Sequence, residues 1–440
     1  MLRTLRDALK VEEIRKKLLF TFVMLVVIRL GCNVPIPGVD TTFFKSFFDT
    51  QTSDAFGFFN AMTGGSFSSM SILALSITPY ITSSIIIELL TVAIPKLEEM
   101  QREGQEGRKK LIEYTRYLTI VLALIESIAM TVGFGNQGLI PDFGVKSVIV
   151  AVCAMTGGSA FLMWIGERIT DRGIGNGISM VLLFNILSSL PQEIATIGSV
   201  FLTGKSIPVQ IIIIAFIAAI LIVMVVYVIL LQDAERRIPV QYSGKMAGRR
   251  SMMGGAMSSH IPLKVNTAGV IPVIFASSIM SFPVVIAQFF TVDYSTFGGK
   301  LLYMLSSNHW FVPGQWGYSV GFLIYVVLLI AFAYFYTSIT FNPLEVANNM
   351  KKQGGFIPGI RPGRPTSDYL SKVLNYIVFI GAVGLLIVAT VPIVISGVFS
   401  IGSLSFTGTS LIIIVGVVLE TMKAVEAMMV VRNYKGFLNS

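Results

Sequence analysis

The distribution of basic residues along a ladder of apolar stretches constrains this chain more than any other feature. All but five of its 33 Lys and Arg residues fall on one side of the ladder, while Lys45, Lys146, Lys205 and Lys300 fall on the other. Arg29, the fifth exception, lies in the outer part of the first stretch. Because Lys and Arg accumulate in cytoplasmic loops, this asymmetry predicts a multi-pass membrane protein with both termini in the cytoplasm.

The apolar stretches are ten in number, and most approach the roughly 20 residues that a helix needs to cross a bilayer. Composition agrees, since 54% of the residues are hydrophobic, 13% are charged and the mean hydropathy is +0.76. These values exclude an ordinary soluble enzyme. We therefore predict an all-α polytopic membrane protein with ten transmembrane helices. The predicted spans are roughly residues 18–33, 72–94, 111–133, 147–166, 174–190, 209–231, 268–290, 317–341, 370–396 and 404–422.

The first 17 residues form a basic amphipathic pattern instead of a cleavable signal peptide. This pattern is typical of a helix lying on the inner membrane surface. The formal net charge of +9 favours attraction to anionic lipids or to an acidic partner. His260 and His309 fall on opposite sides of the membrane, so we expect no shared metal site.

Two predicted cytoplasmic segments, 232–264 and 342–369, are long and rich in basic residues. Solvated orientation signals would account for single charges, but the second segment also contains the Pro-rich run GGFIPGIRPGRP, which stiffens the backbone. A stiff basic loop favours a docking surface for a large cytoplasmic partner. The candidate docking residues are Arg236, Arg237, Lys245, Arg249, Arg250, Lys351, Lys352, Arg361 and Arg364.

The segment 54–70 (DAFGFFNAMTGGSFSSM) is apolar at its start, then rich in Gly and Ser, and too short to cross a membrane. A half-length segment before a full span is typical of a re-entrant element, which is tolerated only where protein or a water-filled cavity receives it. An ordinary outer loop is the alternative. The five large apolar side chains between Phe56 and Phe67 favour the re-entrant element.

The two halves of the chain resemble each other. PYITSSII (79–86) in the second span is similar to PVIFASSI (272–279) in the seventh. Because each half would contain five spans, the halves would lie in opposite orientations, as in inverted-repeat transporters. We predict an N-terminal half at 1–190, a hinge loop at 191–208 and a C-terminal half at 209–440.

The predicted spans contain few ionisable residues, chiefly Arg29, Glu88 and Glu126. The two similar spans instead carry Ile77, Ile81 and Ile274, which would close a pore by excluding water; ordinary core packing is the alternative. A secondary transporter would need a polar midplane site, and an intramembrane protease would need a facing nucleophile and base. Neither constellation is visible, and the sequence lacks HExxH, GxSxG and P-loop motifs.

Several longer motifs extend over most of the chain, and through them it resembles the SecY family of bacterial protein-translocation channels. The motifs are NVPIPGVD (33–40), PYITSSIII (79–87), GIGNGIS (173–179), IPLKVNTAGVIPVIFASS (261–278), NPLEVANNMKKQGGFIPGIRPG (342–363) and TGTSL (407–411). The resemblance implies two five-helix halves around a constriction that opens sideways between spans 2 and 7. It implies a protein-conducting channel in the bacterial plasma membrane that releases transmembrane segments into lipid.

The resemblance also assigns residues to three parts of the channel. It adds Ile178, Leu182 and Ile413 to the three isoleucines of the constriction. The lateral gate would include Thr82, Ser83, Glu88, Ser277 and Ser278. The plug would be a re-entrant helix that includes Phe58, Phe59, Asn60, Met62, Thr63, Gly64, Gly65 and Phe67.

The expected partners follow from the same resemblance. They are the SecE and SecG subunits, the SecA motor ATPase, the ribosome, and signal peptides with the polypeptides they lead. Arg249 and Arg250 match the ribosome-facing loop tip, and Arg361 matches the arginine that SecA needs. We expect no cofactor and no catalytic activity of the chain's own.

Overall fold

The structure is a computed structural model of the 440-residue chain. It describes residues 6, 8–42, 60, 62–135, 138, 140–202, 206–242, 259–287, 296–306, 309–312, 314, 316–399 and 408–438.

Each of the ten predicted apolar stretches coincides with a helix. In chain order the helices are α1 (Glu12–Gly31), α2 (Thr78–Ala93), α3 (Pro95–Arg102), α4 (Gln105–Phe134), α5 (Val145–Arg172), α6 (Gly177–Leu202), α7 (Ile207–Asp233), α8 (Ile271–Ala287), α9 (Phe297–Leu305), α10 (Val320–Thr340), α11 (Pro343–Lys352), α12 (Arg364–Phe399) and α13 (Gly408–Leu438). The short helices α3, α9 and α11 connect predicted spans.

Among the described residues, five helices are long and apolar enough to cross a membrane. A sixth span results if α2 and α3, which meet at a bend of 107°, count together. The bend lies at Ile94, whose backbone is extended just before Pro95. The helical, multi-pass architecture is confirmed, and the number ten remains a prediction with which these helices are consistent.

The expectation of an all-α chain omitted a small sheet in the two long basic segments. Its strands are β1 (Glu235–Tyr242), β2 (Ser259–Lys264) and β3 (Gly355–Phe356), in the order β2-β1-β3. Both pairings are antiparallel, with Arg237 opposite Pro262 and Gln241 opposite Phe356. In β1, Ile238 and Val240 are buried while their neighbours are exposed, which is the period-two pattern of a strand with one covered face.

The predicted hinge loop at 191–208 is wrong in its structure over most of its length. Helix α6 continues through Pro191 to Leu202, and α7 begins at Ile207. Proline is tolerated inside helices at membrane depth because neighbouring groups satisfy the freed carbonyl. That the α6–α7 connection acts as a hinge stays a prediction.

Two large apolar cores lie side by side and share α13. The first joins α7, α8, α10, α12 and α13 through residues such as Val228, Val273 and Leu329. The second joins α1, α5, α6 and α13 with the segment before α2. The candidate site lies in the second core.

Candidate functional site

The six residues expected at the constriction belong to one apolar cluster, although four separate parts of the chain supply them. Three are buried and three are partly buried against them. They are Ile77 just before α2, Ile81 in α2, Ile178 and Leu182 in α6, Ile274 in α8 and Ile413 in α13. We call this set the apolar ring. It offers dispersion contacts without specific hydrogen bonds, which suits closure against water.

A cavity of about 730 Å³ lies against the apolar ring and is lined by every ring member except Ile77. Its lining also includes the exposed residues Lys264, Glu420 and Lys423, which belong to predicted cytoplasmic parts of the chain. Lys423 pairs with Asp233 at 2.7 Å, which ties α13 to the end of α7. The cavity therefore leads from the predicted cytoplasmic side to an apolar constriction.

The described part of the predicted plug lies inside the protein. Met62, Thr63, Gly64 and Phe67 are buried, and Met62 packs against the ring cluster. This burial favours the inserted segment over an ordinary outer loop. Phe58 and Phe59 lie outside the described residues.

The plug segment is less helical than expected. Asn60 and Met62 are helical, but residues 63–70 form consecutive turns. Gly64 and Gly65 have φ values of 65° and 83°, a left-handed conformation that glycine adopts without steric cost and that ends a right-handed helix. Asn60 stabilises the turns, since its Oδ1 accepts a hydrogen bond from the Ser68 amide at 3.0 Å.

Two side chains from outside the plug segment donate hydrogen bonds to it. Arg29 Nη1 donates to the Gly64 carbonyl at 2.8 Å. Asn185 Nδ2 donates to the Met62 carbonyl at 3.1 Å and to Ser76 Oγ at 3.0 Å. Arg29 lies in the last turn of α1, so its charge also interacts favourably with the carbonyl end of that helix.

The five lateral-gate candidates occupy different environments in α2 and α8. Ser83 is buried and donates to the Pro79 carbonyl of its own helix at 2.7 Å, whereas Ser278 is exposed. Ser277 is hydrogen-bonded to Tyr325 in α10. Thr82 is half-buried in α2.

Glu88 lines the cavity and is hydrogen-bonded to the Tyr336 hydroxyl of α10, another lining residue. Among the described helices, α2 packs mainly against α4, and α8 packs mainly against α10. The seam between α2 and α8 therefore has few close backbone contacts. Glu126, in α4, does not line the cavity.

The described parts of the two basic segments that were predicted to be cytoplasmic form one structural unit. Strand β1 of the first segment pairs with β3 of the second, and one apolar cluster joins residues of both, including Ile238, Val240 and Met350. We call this unit the basic platform. Its charged residues are exposed, and Arg237 is paired with Glu235 at 2.6 Å. The exposed candidates are Arg236, Arg237, Lys351, Lys352, Arg361 and Arg364. Lys245, Arg249 and Arg250 lie outside the described residues.

Sequence reasoning missed Asn185 and Tyr336. Asn185 is only 2% exposed and lies within an apolar span, where an amide is costly without partners. The isolated amide, about two turns after GIGNGIS, could have indicated a buried hydrogen-bonding site. Tyr336 gave no comparable signal, because a tyrosine near a membrane surface is common.

Comparisons with known proteins agree with this geometry. A model of the SecY family matches residues 71–422. The chain is 40% identical to the protein translocase subunit SecY of Halalkalibacterium halodurans, over 100% of both chains. It is 44% identical to the protein translocase subunit SecY of Streptomyces griseus, over 98% of both chains.

Solved structures share the fold. The chain is similar to a protein-conducting channel with a TM-score of 0.63 and 18% identity, covering 94% of this chain and 92% of that one. It is similar to Sec61 in the canine ribosome-channel complex with a TM-score of 0.60 and 18% identity, again over 94% and 92% of the two chains.

Proposed function

The chain belongs to the SecY family, and we propose that it is the protein-conducting subunit of a bacterial translocase, which passes unfolded secretory polypeptides across the plasma membrane. The observation that carries the proposal is the apolar ring, gathered at the end of a cavity that opens to the cytoplasmic side. An apolar constriction closes by excluding water yet makes no demand on the sequence of the passing chain. Met62 of the plug segment packs in the same apolar cluster as the ring.

Lateral release of transmembrane segments would occur between α2 and α8. Each helix packs mainly against a neighbour other than its partner across the seam, so the seam separates with little loss of packing. Rotation of residues 1–190 against 209–440 about the α6–α7 connection would open it. Thr82, Ser83, Glu88, Ser277 and Ser278 would form the polar part of this gate.

The energy for translocation would come from a partner ATPase, SecA, or from the elongating ribosome. The basic platform supports this, because exposed Arg and Lys on one folded unit fit an acidic protein surface or the phosphates of ribosomal RNA. Arg361 would contact the motor, and Arg249 and Arg250 would contact the ribosome. SecE and SecG would complete the complex, anionic lipids would lie against the cytoplasmic face, and both termini would be cytoplasmic.

Reconstitution tests this function. Liposomes containing the chain with its partner subunits, supplied with motor ATPase and ATP, should protect a secretory substrate from added protease. Omission of ATP is the control. Solute uptake without polypeptide transport would favour the secondary-transporter alternative, which the apolar ring and the translocase relatives do not support.

A further inference from the structure

Side chains of α1 and α6 donate hydrogen bonds to backbone carbonyls of the plug segment. We propose that Arg29 of α1 and Asn185 of α6 are positioning residues that latch the plug segment over the apolar ring in the resting channel. The proposal rests on the proposed function, because a latch has meaning only where a pore must be closed and opened.

Asn185 joins the plug segment to the residues just before α2. Both of its amide hydrogens are used, one by the Met62 carbonyl at 3.1 Å and one by Ser76 Oγ at 3.0 Å. These acceptors lie fourteen positions apart, one at the start of the turns and the other just before Ile77 of the ring. Ser76 is held further, since its carbonyl accepts from Ser159 Oγ of α5 at 3.1 Å. The amide thus fixes the plug relative to the constriction.

The Gly64 position is shaped to lie against Asn185. A Cβ at Gly64 would come within 3.1 Å of the Asn185 Cα and carbonyl oxygen, so the two backbones are in close contact. The left-handed conformation of Gly64, with φ of 65°, turns its carbonyl toward Arg29, which donates at 2.8 Å. The plug segment therefore lies between a charged donor on one helix and a neutral donor on another.

Apolar packing alone would bury the plug segment without hydrogen bonds from Arg29 and Asn185. The Met62 and Gly64 carbonyls lie at turns, where the local chain does not satisfy them by regular helical bonds. Displacement of the plug therefore exposes two acceptors and leaves one Asn185 amide hydrogen without its acceptor, while the bond to Ser76 remains. An unpaired buried amide is costly. The latch thus opposes opening until a substrate or solvent replaces the lost bonds. Loss of one such bond should shift the closed–open equilibrium by about two- to tenfold.

The test measures resting ion conductance of the purified complex in planar bilayers and export of a reporter whose signal sequence is defective. Asn185→Leu removes both donors, and Asn185→Asp keeps the shape but replaces the donating amide with an oxygen. Each should raise resting conductance and defective-signal export by about two- to tenfold. Asn375→Leu changes an exposed asparagine in α12 and should change neither.

Replacement of Arg29 is an independent test of the latch. Because Arg29 is only partly buried, its replacement should destabilise the fold less than replacement of Asn185. Arg29→Met should raise both readouts, while Arg29→Lys, which keeps a cationic donor, should restore most of the wild-type closure. If Arg29 only stabilised the fold, Arg29→Met would lower the amount of protein in the membrane without raising ion conductance.

The outcomes separate the two proposals. Wild-type conductance in Asn185→Leu and Arg29→Met, with a normally signalled reporter still exported, overturns the latch alone. A poorly accumulating Asn185→Leu with a non-leaking Arg29→Met also overturns it. If the wild-type complex exports no normally signalled reporter, the proposed function itself fails.

Discussion

The carbonyl oxygen of Gly166 lies against Gly177 so closely that a Cβ on Gly177 would be 2.0 Å from it. This contact joins α5 to the first turn of α6 and sets the position of Ile178, the next residue along. A Cβ on Gly166 would in turn lie 3.2 Å from Ile178 Cγ1 and 3.5 Å from Ile77 Cδ1. Two glycines thus support two members of the apolar ring.

Gly177→Ala should therefore destabilise the protein. The added methyl has no room beside the Gly166 carbonyl, and overpacking of this kind costs about 1 to 3 kcal/mol. Thermal unfolding of the purified complex in detergent measures the effect. Gly157→Ala is the matched control, because a Cβ at Gly157 meets nothing within 4 Å. Equal unfolding temperatures for the two variants would contradict the close packing.

Replacement of Ile81 and Ile274 with Asn should open the apolar ring to water. Both residues line the cavity, so the new amides can be hydrated, and we expect a well-inserted protein that leaks small ions and exports reporters with defective signals. Ile165→Asn is the comparison, since Ile165 is fully buried in the same cluster and away from the cavity. It should lower membrane abundance, because an unpaired buried amide costs about 1 to 3 kcal/mol. A scarce, non-leaking Ile81/Ile274 variant would support core packing instead of a gate.

Arg361→Glu should abolish ATP-driven export in the reconstituted system while leaving assembly intact. Arg361 is exposed on the basic platform, so its replacement costs little packing but reverses a charge that we expect the motor to contact. Arg361→Lys should also be impaired, since lysine does not reproduce the bidentate contacts of a guanidinium. Lys146→Glu reverses an exposed charge that is predicted to lie on the other side of the membrane, and this variant should export normally. Full export by Arg361→Glu would remove this residue from the motor contact.

Local sequence patterns predicted the helices well, because membrane spans are specified by continuous apolar composition. The ring members Ile81 and Ile274 could be paired because their spans carry similar motifs. The sheet could not be predicted in the same way, since Gln241 pairs with Phe356, more than a hundred positions away. Such a pairing depends on the tertiary fold, and a two-residue strand such as β3 is too short to show a periodic signal.

Sequence reasoning did not predict the end of α6 or the anchoring of the plug, and the reasons differ. The predicted hinge loop began at Pro191, and proline commonly ends a helix in water but occurs inside helices at membrane depth. The bond from Asn185 to Met62 depends on the turn at Gly64. The direction of that turn follows from what packs around it, so the sequence alone did not indicate this contact.

Crosslinking tests the central claim most directly. A photoreactive probe at Ile81 or at Ile274 should crosslink to a secretory polypeptide stalled halfway through export. The same probe at Ile212, which is 67% exposed on α7, should not. Crosslinks at both ring positions and none at Ile212 are the result that a polypeptide-conducting constriction predicts. A stalled, partly exported chain that crosslinks at neither Ile81 nor Ile274 would contradict it.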